Sequence, residues 1–175
     1  MEHYDYHVRL NELWQKAVDL YKSGQEGAES YFSEEETAWL AQNGITAQEI
    51  YDFAEDYNDV GEPNFTTFAM ITDVRRSYFL NEMKGEKTGN VTDPGSYAAK
   101  DSEAAGIRWL PRIIGKARAK LRGELSPDTM YSCGGDRKFL KENDIHAAQF
   151  LQVVAENFDN DDAIIDWVKK ETNKA

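Results

Sequence analysis

One residue in this sequence is an obvious nucleophile: Cys133, the single cysteine of the chain. It sits just ahead of a segment expected to be a short helix. A thiol at a helix N-terminus faces free N–H groups and the positive end of the helix dipole, which activates it as a nucleophile or redox sensor. Two features oppose that chemistry. Asp136 follows three residues later and repels a charged sulfur, and the position needs nothing more than a helix cap. His146 is the natural base to test against it. The two lie at opposite ends of one short helix, roughly 13 Å apart at 1.5 Å per residue, too far for a Cys–His dyad within one unit. The intervening Gly134-Gly135 permits close backbone approach by a ligand.

A second source of chemistry is the run from Arg108 to Arg122. It carries Arg108, Arg112, Lys116, Arg118, Lys120 and Arg122 and no acidic residue. Such a basic helix could hold a phosphorylated metabolite, an RNA backbone or an anionic membrane surface. Its apolar positions read as ordinary core, so its cations are most simply placed toward solvent or toward the acidic first half of the chain. Arg75-Arg76, late in another helix, complement its dipole.

Other constellations fail on their own terms. His3 and His7 share a helix face but have no third ligand at a metal-binding spacing, and no metal is expected. Asp56-x-Asn58-x-x-Gly61 imitates the opening of a calcium loop, yet Val60 and Thr67 stand where oxygen ligands belong. Two helices joined across Asn43-Gly44-Ile45 have the outline of a helix-turn-helix. The second of them carries Glu49, Asp52, Glu55 and Asp56, so no DNA binding is expected. No Gly-rich phosphate loop, His-Glu-x-x-His or Gly-x-Ser-x-Gly is present, and no cofactor is implied.

Amphipathic helices must position these residues. Leu10, Leu13, Trp14, Ala17 and Tyr21 follow a helical spacing, and Leu110, Ile113, Ile114, Ala117 and Leu121 follow the same one 100 residues later. Tyr31 meets Tyr131, Trp39-Leu40 meets Phe139-Leu140, and Asn43-x-Ile45-x-Ala47 meets Asn143-x-Ile145-x-Ala147. The pattern predicts a duplicated helical unit. Ser33 to Glu36 and Thr46 to Glu49 form two capping boxes, and Asn43-Gly44 stops the helix between them. Closing helices are expected from about Asn64 to Met83 and from Asp162 to Thr172, matching at an offset of 94. The expected fold is all-α, with two similar four-helix units packed together. The first covers residues 1–83 and the second 107–175. Between them, 84–106 reads as a linker, rich in Gly, Ser and Ala and without period.

The 175 residues carry a formal net charge of −12, with 41% hydrophobic and 12% aromatic residues, which supports a packed core and excludes an acidic disordered tail. Charge is uneven. Residues 1–90 hold 18 acidic and 7 basic side chains, and residues 91–175 hold 14 and 13. No apolar run is long enough to span a bilayer and no signal peptide is visible at the start, so no membrane partner is expected. One cysteine excludes an internal disulfide, and the expected location is cytoplasmic.

The stretch from Trp109-Leu110-Pro111-Arg112 to Lys116-Ala117-Arg118-Ala119-Lys120-Leu121 is followed by Tyr131-x-Cys133-x-x-Asp136-x-x-Phe139-Leu140 and Ile145-x-Ala147. It resembles an uncharacterised bacterial family, domain of unknown function 5069, over about Arg108 to Val168. The family pattern has Pro-Leu where Gly134-Gly135 stands, Gly where Asp144 stands and Asp where His146 stands; the last change exchanges a good N-cap for a poorer one. The resemblance implies no activity. The matching positions that would form a site are Cys133 as candidate nucleophile and Arg112, Lys116, Tyr131 and Asp136 as anion-binding candidates. Three functions follow. The first is a non-catalytic binding or protein-interaction module, able to self-associate and working through a groove between units or the basic helix. The second is a thiol enzyme or redox sensor using Cys133. The third is a binder of a small anion such as phosphate.

Overall fold

The computed structural model describes residues 3–172, and the chain divides into two compact units, Met1–Gly85 and Glu86–Ala175. The first contains α1 (Tyr6–Lys22), α2 (Glu34–Gln42), α3 (Ala47–Val60) and α4 (Phe65–Asn81). The second contains a two-residue hairpin, β1 (Glu103–Ala104) and β2 (Ile107–Arg108). It continues with α5 (Leu110–Arg122), α6 (Gly134–Glu142), α7 (Ala147–Glu156) and α8 (Asp161–Thr172). The class is all-α, with four α-helices in each unit among the described residues. No helix among the described residues is long and apolar enough to cross a membrane.

In the first unit α1 packs on α3, burying Leu10, Leu13, Trp14 and Ala17 against Ile50, Phe53 and Ala54. Each large apolar side chain so buried contributes about 1.5–3 kcal/mol. Both capping boxes form. Ser33 Oγ accepts from the Glu36 N–H at 3.2 Å while Glu36 accepts from the Ser33 N–H at 2.7 Å, and Thr46 and Glu49 repeat the exchange. Gly44 holds φ 74°, and a Cβ there would lie 2.7 Å from the Phe79 ring, so only glycine fits both the turn and the contact.

In the second unit α5 packs on α7, and Leu110, Ile113, Ile114, Ala117 and Leu121 are buried with Phe150, Leu151 and Val154. Helix limits coincide with those of the first unit at a separation of 100. α1 and α5 end at Lys22 and Arg122, α2 and α6 span 34–42 and 134–142, and α3 and α7 begin at 47 and 147. The closing helices align at 96 rather than the expected 94. Asn64 and Asn160 each cap the third N–H of their helix, and buried Phe68 and Thr72 stand where Ile164 and Val168 stand.

The segment expected as a linker is instead fastened to the second unit. The Thr92 N–H donates to the Glu124 carbonyl at 2.7 Å, Arg112 Nη1 donates to the Ala98 carbonyl at 2.8 Å, and the Trp109 N–H donates to the Ser102 carbonyl at 3.0 Å. Its hairpin turns at Ala105-Gly106 with φ 53° and 77°, the left-handed pair that tight hairpins require. Alanine is a poor residue for that turn, so the composition gave no strand signal.

Candidate functional site

The site grows from the entry into α5. Trp109 precedes the helix at φ 75°, a left-handed conformation rare for a bulky residue, and Pro111 sits in the first turn where no N–H is needed. Ser132, ahead of α6, is also left-handed at φ 68°. One carboxylate ties both down. Asp136, fully buried in the first turn of α6, accepts from Trp109 Nε1 at 2.9 Å and from the Ser132 N–H at 3.0 Å. Such backbones cost about 1–3 kcal/mol each and persist only when their surroundings fix them.

Lys116, from the middle of α5, completes the cluster. Its Nζ lies 2.5 Å from Asp136 Oδ2 and 3.2 Å from Cys133 Sγ. A buried ion pair repays its desolvation only when further hydrogen bonds satisfy both partners, and here they do. The ammonium thus stands between Asp136 and the sulfur, which removes the repulsion expected from the sequence. Cys133 occupies the N-cap position of α6 but makes no side-chain cap hydrogen bond. Its half-buried sulfur accepts from lysine instead.

The first unit holds the same pair without the cysteine. Lys16 Nζ lies 2.6 Å from Glu36 Oε2, again joining the opening helix to the short helix, with Ser33 at the N-cap. Lys16 and Glu36 keep 39% and 22% side-chain exposure, against 4% and 0% for Lys116 and Asp136. Burial pushes the Glu36 carboxyl up. The Lys16 ammonium and the Ser33 N–H outweigh it and hold the group below the usual carboxylate range.

The remaining candidates are engaged elsewhere. Buried Tyr131 donates its hydroxyl to the Ala147 carbonyl at 2.7 Å, and burial, with Asp136 adding to it, pushes its phenol well above the ordinary range. Arg112 is half-buried, bonded to the Ala98 carbonyl and set over the Tyr97 and Trp109 rings at 5.8 and 5.9 Å. The basic helix does not turn its cations out as expected. Lys116 and Lys120 are buried, Arg118 pairs with Asp161, and Arg122 pairs with Glu124 at 3.0 Å. A helix that packs on two sides has no wholly solvated face, and acids from elsewhere in the unit meet its cations. His146 caps α7 after all, its Nδ1 accepting from the Ala148 N–H at 3.2 Å.

Outside this unit, His7 pairs with Asp73 at 2.7 Å and His3 Nδ1 lies 3.1 Å from Arg76. Asn58 lies within α3, bonded to the Ala54 carbonyl, so no calcium loop forms there. Arg75, expected to complement a helix dipole, is buried with its guanidinium 5.0 Å from the Phe79 ring centre. Among the described residues no group of three His, Cys, Asp or Glu side chains could hold a metal ion.

A groove of about 380 Å³ opens on the far side of Trp109. Trp109, Gly135 and Phe139 line it together with charged Lys100, Arg108, Lys138 and Glu142. Gly135 makes the indole's seat, because a Cβ there would lie 2.6 Å from Trp109 Cζ2. Sequence reading missed this groove. Trp109 was legible as part of the motif, but Lys100 reaches the site only because the preceding segment folds back.

Residues 99–175 match the family described as Domain of unknown function (DUF5069), the family that the motif resembles. The match takes in Trp109, Lys116, Cys133 and Asp136 and leaves the first unit outside. No curated protein and no solved structure matches the chain.

Proposed function

We propose that this protein is a non-catalytic binding module and that its second unit receives a ligand in the groove on Trp109. The observation that carries this reading is the recurrence of the lysine–carboxylate pair. Lys16–Glu36 makes the same link as Lys116–Asp136 in a unit that has no cysteine. A pair that recurs without the nucleophile acts as a clamp between the opening and short helices. Catalysis would need these groups free to change partners, and each is spent on the fold. The open charged surface beside them is the groove. The lone cysteine fits a reducing compartment.

The test is a thermal-shift screen of wild type and Cys133→Ser against inorganic phosphate, mononucleotides, dicarboxylates and aromatic acids. A binding module is stabilised by at least one class, by the same increment with and without the sulfur. Stabilisation that disappears in Cys133→Ser, or turnover of a compound by wild type alone, overturns the reading.

One observation favours a second reading, thiol chemistry at Cys133: the sulfur accepts from Lys116 rather than capping its helix. Peroxide treatment followed by mass analysis of the Cys133 peptide distinguishes it. A redox thiol gains oxygen within minutes in wild type and far more slowly in Lys116→Gln combined with Asp136→Asn, which leaves no stranded charge.

A further inference from the structure

We infer that the groove on Trp109 takes a planar anion, with a flat ring against the indole and an acidic group held by Lys100 and Arg108. The inference rests on the binding-module reading and adds the charge and shape of the ligand. Charge comes first. Lys138 is matched by Glu142 one turn along α6, so these two cancel. Lys100 and Arg108 are exposed, and among the described residues neither side chain has an ion-pair or hydrogen-bond partner, although Glu103 stands opposite Arg108 across the hairpin. Two unspent cations therefore stand at the rim of a concave site in a chain whose net charge is −12.

Shape comes from Trp109. Its indole is held at the Nε1 edge by Asp136, its backbone is fixed in a left-handed turn, and Gly135 leaves it room. A rigid aromatic wall costs little ordering on binding and favours a flat partner. The volume, about 380 Å³, lies at the small end of the range for ligand pockets and suits one or two rings.

The first unit supplies an internal control. It carries a groove of about 410 Å³ at the same helix positions, with Val8, Arg9, Trp39 and Gln42 in the places of Arg108, Trp109, Phe139 and Glu142. A groove there is thus a consequence of how the opening and short helices meet. Its furnishings differ. Arg9 is spent on Glu35, Asp5 and Glu12 add negative charge, and Tyr6 stacks on Trp39 at 5.6 Å. Among the described residues the cationic rim belongs to the second unit, whose indole meets Arg112 at 5.9 Å rather than a stacked aromatic ring.

The test uses the full chain and calorimetric titration with four probes: 2-naphthoate, its neutral amide, cyclohexanecarboxylate and inorganic phosphate. The expected result is that naphthoate binds at least about tenfold more tightly than the others and weakens as salt is raised. Lys100→Glu and Arg108→Glu should each lower its affinity about tenfold or more, while Arg9→Glu in the other groove leaves it unchanged. Equal binding of the neutral amide overturns the charge assignment. Equal binding of phosphate or cyclohexanecarboxylate overturns the ring and leaves the module reading standing. Loss of affinity in Arg9→Glu, with none in Arg108→Glu, moves the site off Trp109 and overturns the inference. If no probe binds and the wider screen also stabilises nothing, the module reading falls with it.

Discussion

Replacing Lys116 by methionine, beside the same change at Lys16, weighs one interaction in two settings. Both lysines join an opening helix to the carboxylate of a short helix, at 2.5 Å and 2.6 Å. They differ in burial. Lys116→Met removes the cation bonded to fully buried Asp136, and an uncompensated buried charge costs about 3–5 kcal/mol. Lys16→Met breaks a pair that water reaches, worth about 0.2–1 kcal/mol. With a urea slope of about 2 kcal/mol/M, the midpoint should fall by roughly 2 M in the first case and by under about 0.5 M in the second. Urea unfolding followed by circular dichroism measures both. The loss in Lys116→Met comes from the stranded charge, so adding Asp136→Asn should recover more than half of it. The amide oxygen can still accept from Trp109 Nε1 or the Ser132 N–H. Equal midpoint shifts for the two lysines, or no recovery in the double variant, would refute the clamp argument.

Other outcomes follow from the same geometry. Gly135→Ala places a Cβ 2.6 Å from the Trp109 ring, so it should cost about 1–3 kcal/mol by overpacking and shift the tryptophan emission, seen in a fluorescence-monitored melt. Alkaline stability follows from the phenols. Burial raises Tyr31, Tyr51 and Tyr131 above the ordinary value of 10.0, and burial with Glu55 pushes Tyr21 up to about 12. A proton held more tightly in the folded state gives stability that is complete below pH 10 and is lost as pH rises toward and beyond 12. Titration at 295 nm should therefore show these phenols ionising late, together with the loss of helix. Ionisation near pH 10 with the fold intact would contradict the burial.

Local physics explains what could be read in advance. Capping boxes at Ser33 and Thr46, the stop at Asn43-Gly44 and the apolar stripe of α5 depend on residues within one or two turns, and all appear where the sequence places them. The coincidence of Cys133 with Ser33 and of Asp136 with Glu36 was also legible, because helix starts carry characteristic residues. The partners of charged side chains were not. Lys116 reads as one cation among six on a basic helix, and its burial depends on Asp136 arriving from 20 residues away. The hairpin at Ala105-Gly106 was hidden because tertiary bonds to Arg112 and Glu124 hold the segment, not turn propensity.

The sequence by itself therefore determined the helices, their ends and the 100-residue spacing at which several helix limits recur, since these follow from periodicity and capping. Only the tertiary structure decided which cations are buried clamps and which remain free at a groove. That choice turns on desolvation and on carboxylates distant in sequence, quantities that no local pattern carries.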